Sequence, residues 1–196
     1  NNRDGTTFSL MEYLSGEGFH TLKDKEEKLD YRRASNIILK VAQGLAKAHE
    51  QNILHRDVKP SNILIARNER SVKIIDFGLA RSVIKEGEEI TKEGVILGTP
   101  GYISPEQCLN QPIDERTDIY SLGVTFYKAI TGQEPFMGTN ITKLLEQLKG
   151  NFVEPHLLDK NIPLKISKII KKMIAKKRQK RYSNMASLIK DLKKAI

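Results

Sequence analysis

Residues 117–131 constrain the fold most, because this run is apolar on almost every side of a helix. Its apolar members are Ile119, Tyr120, Leu122, Val124, Phe126, Tyr127, Ala129 and Ile130. A helix that is hydrophobic all round lies inside a protein rather than on its surface. The rest of the chain must therefore supply elements that surround it. Asp118 near its start would be a buried charge, which is costly unless hydrogen bonds satisfy it.

Several segments predict amphipathic helices that could pack around this one. The longest follows Asp30, a residue suited to capping a helix N-terminus, and its apolar residues recur at helical spacing from Ala34 to Ala48. Pro163 is expected in the first turn of another helix. The apolar residues of the shorter patterns are Ile141, Leu144, Leu145 and Leu148; Ile166, Ile169, Ile170, Met173 and Ile174; and Met185, Leu188, Ile189 and Leu192.

Two short apolar runs, residues 63–65 and 72–75, flank a polar stretch and predict a β-hairpin. The two ends of this hairpin carry Asn62 and Asp76. Pairing of the strands would bring both side chains to one edge, and amide and carboxylate oxygens are ligands that Mg²⁺ accepts. A further short apolar run, residues 8–14, predicts a strand near the start of the chain.

The segment His55-Arg56-Asp57-Val58-Lys59-Pro60-Ser61-Asn62 precedes the hairpin, and Asp76-Phe77-Gly78 follows it. Phosphoryl transfer needs a carboxylate to accept a hydroxyl proton, oxygen ligands for Mg²⁺ and a cation on the transferring phosphate. Each motif alone is an ordinary charged loop or turn, but the two in this order point to that chemistry. The residues of the required types are Asp57, Lys59, Asn62 and Asp76.

With these motifs the chain resembles a eukaryotic-type (Hanks-type) serine/threonine protein kinase from about Phe8 to its end. The resemblance implies a mostly α (α+β) fold, in which residues 15–196 form the large lobe with a small catalytic hairpin. Residues 1–14 would be a remnant of the last small-lobe strand and the hinge. No Gly-x-Gly-x-x-Gly loop, Val-Ala-Ile-Lys strand or following helix with its glutamate precedes Phe8. We therefore expect the small lobe to be absent from this chain. Residues 48–53 and 102–107 look most like bacterial members.

The resemblance also implies roles for individual residues. Asp57 would be the catalytic base, Lys59 would contact the transferring phosphate, and Asn62 and Asp76 would bind Mg²⁺. ATP would contact the hinge and Leu64, which resembles the floor under adenine. The hinge residues are Met11, Glu12, Tyr13 and Leu14. Other implied structural or regulatory residues are His55, Arg56, Phe77, Gly78, Thr91, Thr99, Glu106, Asp118 and Arg181.

Residues 76–106 resemble the activation segment of the family. It closes with Ser104-Pro105-Glu106 where the family has Ala-Pro-Glu, and its glutamate is expected to pair with Arg181. Lys59 and Thr99 match the serine/threonine branch, and Thr99 is expected to hydrogen-bond both Asp57 and Lys59.

Two further expectations concern regulation and anchoring. Thr91, in the polar middle of the segment, is the favoured phosphorylation site, with Arg56 as a clamp for its phosphate and Ser82 and Thr99 as rivals. Asp118 would accept hydrogen bonds from the backbone of the His-Arg-Asp motif.

Composition limits the remaining possibilities. The net charge of +9 comes largely from lysines after residue 165, which alternate with apolar residues as the solvated side of helices, so no nucleic-acid partner is expected. The single cysteine, Cys108, excludes an internal disulfide and fits a reducing compartment. No apolar run approaches the roughly 18 residues of a membrane span, and no signal peptide opens the chain. We expect a soluble, cytoplasmic protein.

Three functions follow as alternatives. The first is ATP- and Mg²⁺-dependent phosphorylation of serine or threonine in protein substrates, compatible with dimerisation for autophosphorylation. The second is a pseudokinase or scaffold, against which the intact Asp57, Asn62 and Asp76 argue, and the third is an unrelated basic binding module. The 196-residue chain alone is expected to be inactive. Lys128 stands where some basic-directed kinases carry an acid, so little preference for arginine before the target residue is expected.

Overall fold

The computed structural model describes residues 15–67, 69, 71–77 and 99–196, and this part of the chain is mostly helical with one small antiparallel sheet. The strands are β1 (Gly16–Gly18), β2 (Ile63–Ala66) and β3 (Val72–Ile74). The helices are α1 (Phe19–Lys25), α2 (Tyr31–His49), α3 (Pro105–Cys108), α4 (Glu115–Thr131), α5 (Asn140–Lys149), α6 (Pro155–Leu158), α7 (Leu164–Met173) and α8 (Met185–Ala195). Short 3₁₀ turns cover Pro60–Asn62 and Arg178–Lys180. The predicted fold class is confirmed.

Helix α4 lies at the centre of the described part, as its all-round apolar character predicted. Nearly all of its residues are buried, and α2, α6, α7 and α8 pack against it. Gly123 permits the close approach of α7, because a Cβ at this position would lie 2.6 Å from the Cβ of Met173. The side chain of Asp114 caps the N-terminus, and Gly132 ends the helix in the left-handed conformation with φ of 76°.

Helix α2 begins where the sequence predicted. The Asp30 carboxylate accepts hydrogen bonds from the backbone N–H groups of Arg32 and Arg33 at 2.9 and 3.3 Å, which confirms it as the N-cap. Its apolar face packs against α4 and α8. The helix ends at His49. A turn with Asn52 at φ of 59° then leads the chain into the His-Arg-Asp motif.

The sheet contains the predicted hairpin and one additional strand. Strands β2 and β3 pair antiparallel, with Ile63 opposite Ile74. Strand β1, which was not predicted, pairs with the other edge of β2. Its residues Gly16, Glu17 and Gly18 have no alternating apolar pattern. Gly16 lies so close to the partner that a Cβ there would be 2.1 Å from the carbonyl oxygen of Ile65.

Three other details differ from the sequence predictions. Helix α1 was not predicted, since residues 19–25 carry too short an apolar pattern. Pro163 lies at the N-cap of α7 rather than in its first turn. Helix α5 forms as expected, but Ile141 and Leu145 are 68% and 51% exposed and its buried residue is Gln147. The predicted strand and hinge in residues 1–14 lie outside the described residues.

The lysines of helix α7 lie on its exposed side, as predicted from their spacing. In α7 the apolar residues Ile166, Ile170 and Met173 are buried, whereas Lys165, Lys168 and the two following lysines are exposed. This alternation places the positive charge on the solvated side of a packed helix. Among the described helices, none has a stretch long and apolar enough to cross a bilayer.

Candidate active site

The Asp57 carboxylate lies at the centre of a small polar cluster. Its Oδ2 lies 2.6 Å from the Lys59 Nζ, and its Oδ1 accepts a 3.3 Å hydrogen bond from the Thr99 hydroxyl. Lys59 Nζ donates to the same hydroxyl at 2.7 Å. Thr99 therefore accepts from the ammonium group and donates to the carboxylate, which is the contact pattern predicted for it. The Asp57 and Lys59 side chains are each about one-fifth exposed, so water and ligands can reach them.

Asn62 ties the other end of the loop to Asp57. Its Nδ2 donates to the Asp57 backbone carbonyl at 2.9 Å and approaches the Asp57 Oδ2 at 3.3 Å. The 3₁₀ turn Pro60–Asn62 and the start of β2 hold Asn62 in a buried position. With its N–H groups committed to Asp57, its Oδ1 remains an oxygen acceptor, which receives a 3.4 Å contact from the Ser61 hydroxyl.

Asp118 holds the loop from beneath. This carboxylate is fully buried, and it accepts hydrogen bonds from the backbone N–H groups of His55 at 2.9 Å and Arg56 at 2.7 Å. The predicted contact with the motif backbone is therefore present. Arg56 has φ of 70°, in the left-handed region that few non-glycine residues adopt. These bonds satisfy a charge that would otherwise be costly to bury.

Two further partners of this loop were not anticipated. The ring of His49, at the end of α2, contacts the Asp118 Oδ2 through Nε2 at 2.8 Å. Gln107, in α3, donates from Nε2 to the Arg56 carbonyl oxygen at 2.9 Å. Both side chains have partners that are distant along the chain, and no periodicity or charge pattern marks such pairs. His49 does belong to the segment that resembles bacterial kinases, but that likeness indicates no partner.

His55 links the loop to the Asp-Phe-Gly motif. Its Nδ1 accepts a hydrogen bond from the Asp57 N–H at 3.2 Å, so its Nε2 carries the proton donated to the Ile75 carbonyl oxygen at 2.9 Å. The buried ring also lies 4.7 Å from the Phe77 ring, measured between centroids. Through these contacts the imidazole connects the loop to the Asp-Phe-Gly motif.

Asn62 and the residue before Asp76 pair at the edge of the predicted hairpin. The Ile75 N–H donates to the Asn62 carbonyl oxygen at 3.0 Å, which places Asp76 one residue beyond this pairing. Asp76 is exposed and has φ of 61°. Within the described ranges, no cluster of three or more histidine, cysteine or acidic side chains could hold a metal. Mg²⁺ is commonly bound by one or two carboxylates together with substrate phosphates, so an amide oxygen and an exposed carboxylate fit it.

The end of the predicted activation segment is anchored by a buried ion pair. Arg181 Nη1 and Nη2 donate to the two carboxylate oxygens of Glu106 at 2.6 and 2.9 Å, so the predicted pairing is present. Burial raises the pKa of Glu106, but the hydrogen bonds and charge of Arg181 outweigh this effect and leave the pKa below its ordinary value. The Thr117 hydroxyl also donates to Glu106, at 2.9 Å.

Residues 99–103 are fixed by side chains that the sequence did not single out. Gln147 in α5 donates from Nε2 to the carbonyl oxygens of Gly101 and Ile103 at 2.8 and 3.0 Å. The Ser121 hydroxyl in α4 donates to the Tyr102 carbonyl oxygen at 2.7 Å. This segment contributes Thr99 to the cluster around Asp57. Hydrogen bonds from α4 and α5 therefore fix its position.

Several predicted site residues lie outside the described part of the chain. They are Met11, Glu12, Tyr13, Leu14, Gly78, Ser82 and Thr91. Leu64 is described: it is partly buried in β2, opposite Lys73 in one neighbouring strand and Gly18 in the other. The predicted adenine contact at Leu64 and the phosphate contact at Arg56 remain predictions.

Comparison with known proteins identifies the family. The model of the protein kinase domain matches residues 2–192. The serine/threonine-protein kinase PknB of Mycolicibacterium smegmatis is 33% identical over 186 residues, which cover 94% of this chain and 30% of that protein. A probable serine/threonine-protein kinase of Clostridium perfringens is 35% identical over 193 residues, covering 98% of this chain and 28% of that protein.

A solved structure shows the same fold. The crystal structure of Rad53 1-466 in complex with AMP-PNP superposes with a TM-score of 0.75 and 26% sequence identity, covering 91% of this chain and 44% of that one. The chain spans about 30% of the length of the PknB relatives that it matches. The chain belongs to the family of Hanks-type serine/threonine protein kinases, which includes these bacterial members.

Proposed function

We propose that the intact protein containing this chain transfers the terminal phosphoryl group of ATP to serine or threonine hydroxyls of protein substrates. The observation that carries the proposal is the cluster around Asp57, in which one carboxylate meets the Lys59 ammonium at 2.6 Å and the Thr99 hydroxyl at 3.3 Å. Phosphoryl transfer requires a carboxylate, a cation and a position beside the carboxylate for the attacking hydroxyl.

Asp57 is assigned as the base that positions the attacking hydroxyl. The substrate oxygen forms a bond to the terminal phosphorus while the bond from phosphorus to the bridging oxygen of ADP breaks, and Asp57 accepts the hydroxyl proton. The contact with Thr99 supports this assignment, since a hydroxyl group already donates to the carboxylate. Lys59 lies between Asp57 and Thr99, from where its charge can meet the transferring phosphate.

Asn62 and Asp76 are assigned to Mg²⁺, which when bound would neutralise charge on the phosphates of ATP. Their juxtaposition through the Ile75–Asn62 backbone hydrogen bond supports this assignment. Leu64 is assigned to the adenine site, together with the hinge residues. Positioning by prearranged groups supplies much of the catalysis in such a site. The hydrogen bonds from the loop backbone to Asp118 provide that prearrangement.

The test is transfer of radiolabelled phosphate from Mg²⁺-ATP by the intact protein, with Asp57→Asn as the key variant. We expect the variant to lose about 10²- to 10⁴-fold in rate, the range typical of a general base, with an unchanged circular dichroism spectrum. Asp159→Asn is a matched control, because the chemical change is the same. Asp159 lies between α6 and α7 and pairs with Lys28, which lies between α1 and α2. A rate for Asp57→Asn within about threefold of wild type would contradict the assignment. Absence of any transfer by the wild-type protein would favour the pseudokinase alternative.

A polypeptide restricted to these 196 residues is expected to bind nucleotide weakly. Its sequence contains no Gly-x-Gly-x-x-Gly motif and no Val-Ala-Ile-Lys strand, which in kinases cover and grip the phosphates. We expect a Kd for Mg²⁺-ATP of about 1 mM or weaker, near −4 kcal/mol, and no measurable transfer. Calorimetric titration measures the affinity. Micromolar binding, or transfer abolished by Asp76→Ala, would refute this expectation.

A further inference from the structure

A cluster of two lysines and one glutamate borders the segment that reaches the catalytic loop. The Glu134 carboxylate pairs with the Lys128 Nζ through Oε1 at 2.7 Å and with the Lys143 Nζ through Oε2 at 2.5 Å. The lysines come from two different helices, α4 and α5. Each of the three side chains is about 21–23% exposed, so the cluster is partly removed from water but open to a ligand.

Residues 99–102 connect the cluster to the Asp57 site. Lys128 Nζ lies over the Tyr102 ring, 5.7 Å from its centroid. A Cβ at Gly101 would be 3.7 Å from the Glu134 Oε2 and 3.9 Å from the Lys143 Cδ. Thr99, two residues before Gly101, contacts Asp57. The two residues from Thr99 to Gly101 span at most about 7 Å of backbone, and the contacts at either end add to this. A peptide with its hydroxyl at Asp57 can therefore reach the cluster with a side chain a few residues from the target.

The charges of the cluster favour a negatively charged ligand. Burial raises the pKa of Glu134, but hydrogen bonds from Lys128 and Lys143 outweigh this and lower it below its ordinary value. Despite its partial burial, the pKa of Lys128 is raised by its hydrogen bond to Glu134, so this pair stays charged at neutral pH, and the cluster holds two basic side chains to one acidic one. An ammonium group has three N–H donors, whereas the described contacts of Lys143 use one carboxylate oxygen. Lys143 can therefore donate to a second carboxylate without releasing Glu134.

We propose that Lys128 and Lys143 form a subsite that binds an acidic residue of the protein substrate close to the target serine or threonine. The inference rests on the proposed kinase function and adds a substrate class to it. Glu134 holds the two ammonium groups together, and the mostly buried setting strengthens a charge-assisted hydrogen bond relative to open water. A basic side chain at the same substrate position would be repelled.

The experiment measures kcat/KM of the intact protein on peptides that contain a single target residue. Glutamate, glutamine or lysine is placed in turn at each of about five positions on either side. At one position at least, we expect glutamate to be preferred over glutamine by about tenfold, the effect of one hydrogen bond between charged groups. Lys143→Met should reduce this ratio to near one, and Lys143→Arg should retain most of it.

Lys149→Met is the matched control, because Lys149 lies on the same helix, pairs with Glu146 and is largely exposed. It should leave the glutamate preference unchanged. A wild-type ratio near one at every position, or the same ratio in Lys143→Met as in wild type, would overturn the inference. Autophosphorylation without phosphorylation of any peptide would also count against it while leaving the kinase function in place. A wild-type protein that transfers phosphate to neither itself nor any peptide would overturn the proposed function.

Discussion

Replacement of Arg181 by methionine should strongly destabilise the folded chain. The Arg181 side chain is fully buried, and that of Glu106 is 5% exposed. Besides its two hydrogen bonds to Glu106, the guanidinium donates to the carbonyl oxygens of Ala175, Arg116 and Lys176 at 2.8, 3.0 and 3.1 Å. Methionine keeps most of the side-chain volume but removes every donor. The Glu106 charge would then remain buried with the Thr117 hydroxyl as its remaining side-chain donor in the described residues.

The expected loss follows from the removal of one partner of a buried ion pair. Such a change typically destabilises a protein by about 3–5 kcal/mol, because the remaining charge is uncompensated. For a chain of this size, each kcal/mol lowers Tm by about 2–4 °C, so the variant should melt about 6–20 °C below wild type. Glu106→Leu combined with Arg181→Met should be less destabilised than Arg181→Met alone, since the double variant buries no charge.

Urea and thermal unfolding followed by circular dichroism would measure these differences. Arg116→Met is the matched control: Arg116 pairs with Asp114, but their side chains are 26% and 35% exposed. An exposed pair of this kind contributes at most about 1 kcal/mol. The reasoning would be refuted if Arg181→Met were within about 1 kcal/mol of wild type, or if it were no less stable than the Arg116→Met control.

Three other predictions can be measured on the same protein. The pKa of Glu106 is lowered in the folded state from its ordinary value of 4.5. The contribution of this carboxylate to stability is therefore present above pH 4.5 and is lost as the pH falls through the lowered pKa. The urea midpoints of wild type and Arg181→Met should converge in acid for this reason. Burial raises the pKa of Cys108 to about 11, so an aromatic disulfide reagent at neutral pH should modify the folded protein about a hundredfold more slowly than the urea-unfolded protein, and equal rates would contradict this. Mass spectrometry of active intact protein should find phosphate on Thr91, whose negative charge would face Arg56, and an unmodified segment would dispose of that site.

Much of the fold was predictable because the strongest signals were local. The apolar periodicity of α2 and its Asp30 cap required no knowledge of distant contacts. The all-round apolar character of α4 predicted its central position. Strand β1 gave no such signal, since two of its residues are glycines and its pairing depends on close backbone approach to β2. In α5 the apolar pattern predicted a buried face, but Leu145 is largely exposed.

The part of the site that consists of motif residues could be predicted from the sequence. Asp57, Lys59 and Thr99 meet as the resemblance to the kinase family implied. The supporting residues were not predictable in the same way. Gln107 and Gln147 act on backbone carbonyls far along the chain, and an amide side chain gives no sign in the sequence of which carbonyl it will meet. Such contacts depend on the packed arrangement of helices rather than on local pattern.

The attachment of the loop that contains His55 and Arg56 to Asp118 bears on how that loop moves in time. The amides of His55 and Arg56 lie outside any helix or strand, and amides in such loops ordinarily exchange their hydrogens with solvent rapidly. Here both amides donate to a carboxylate carried by the buried helix α4. Their hydrogens can exchange only when these bonds break, and the acceptor is fixed in the buried core. The loop should therefore open with the central core as one cooperative unit, and its exchange should be as slow as that of α4 itself.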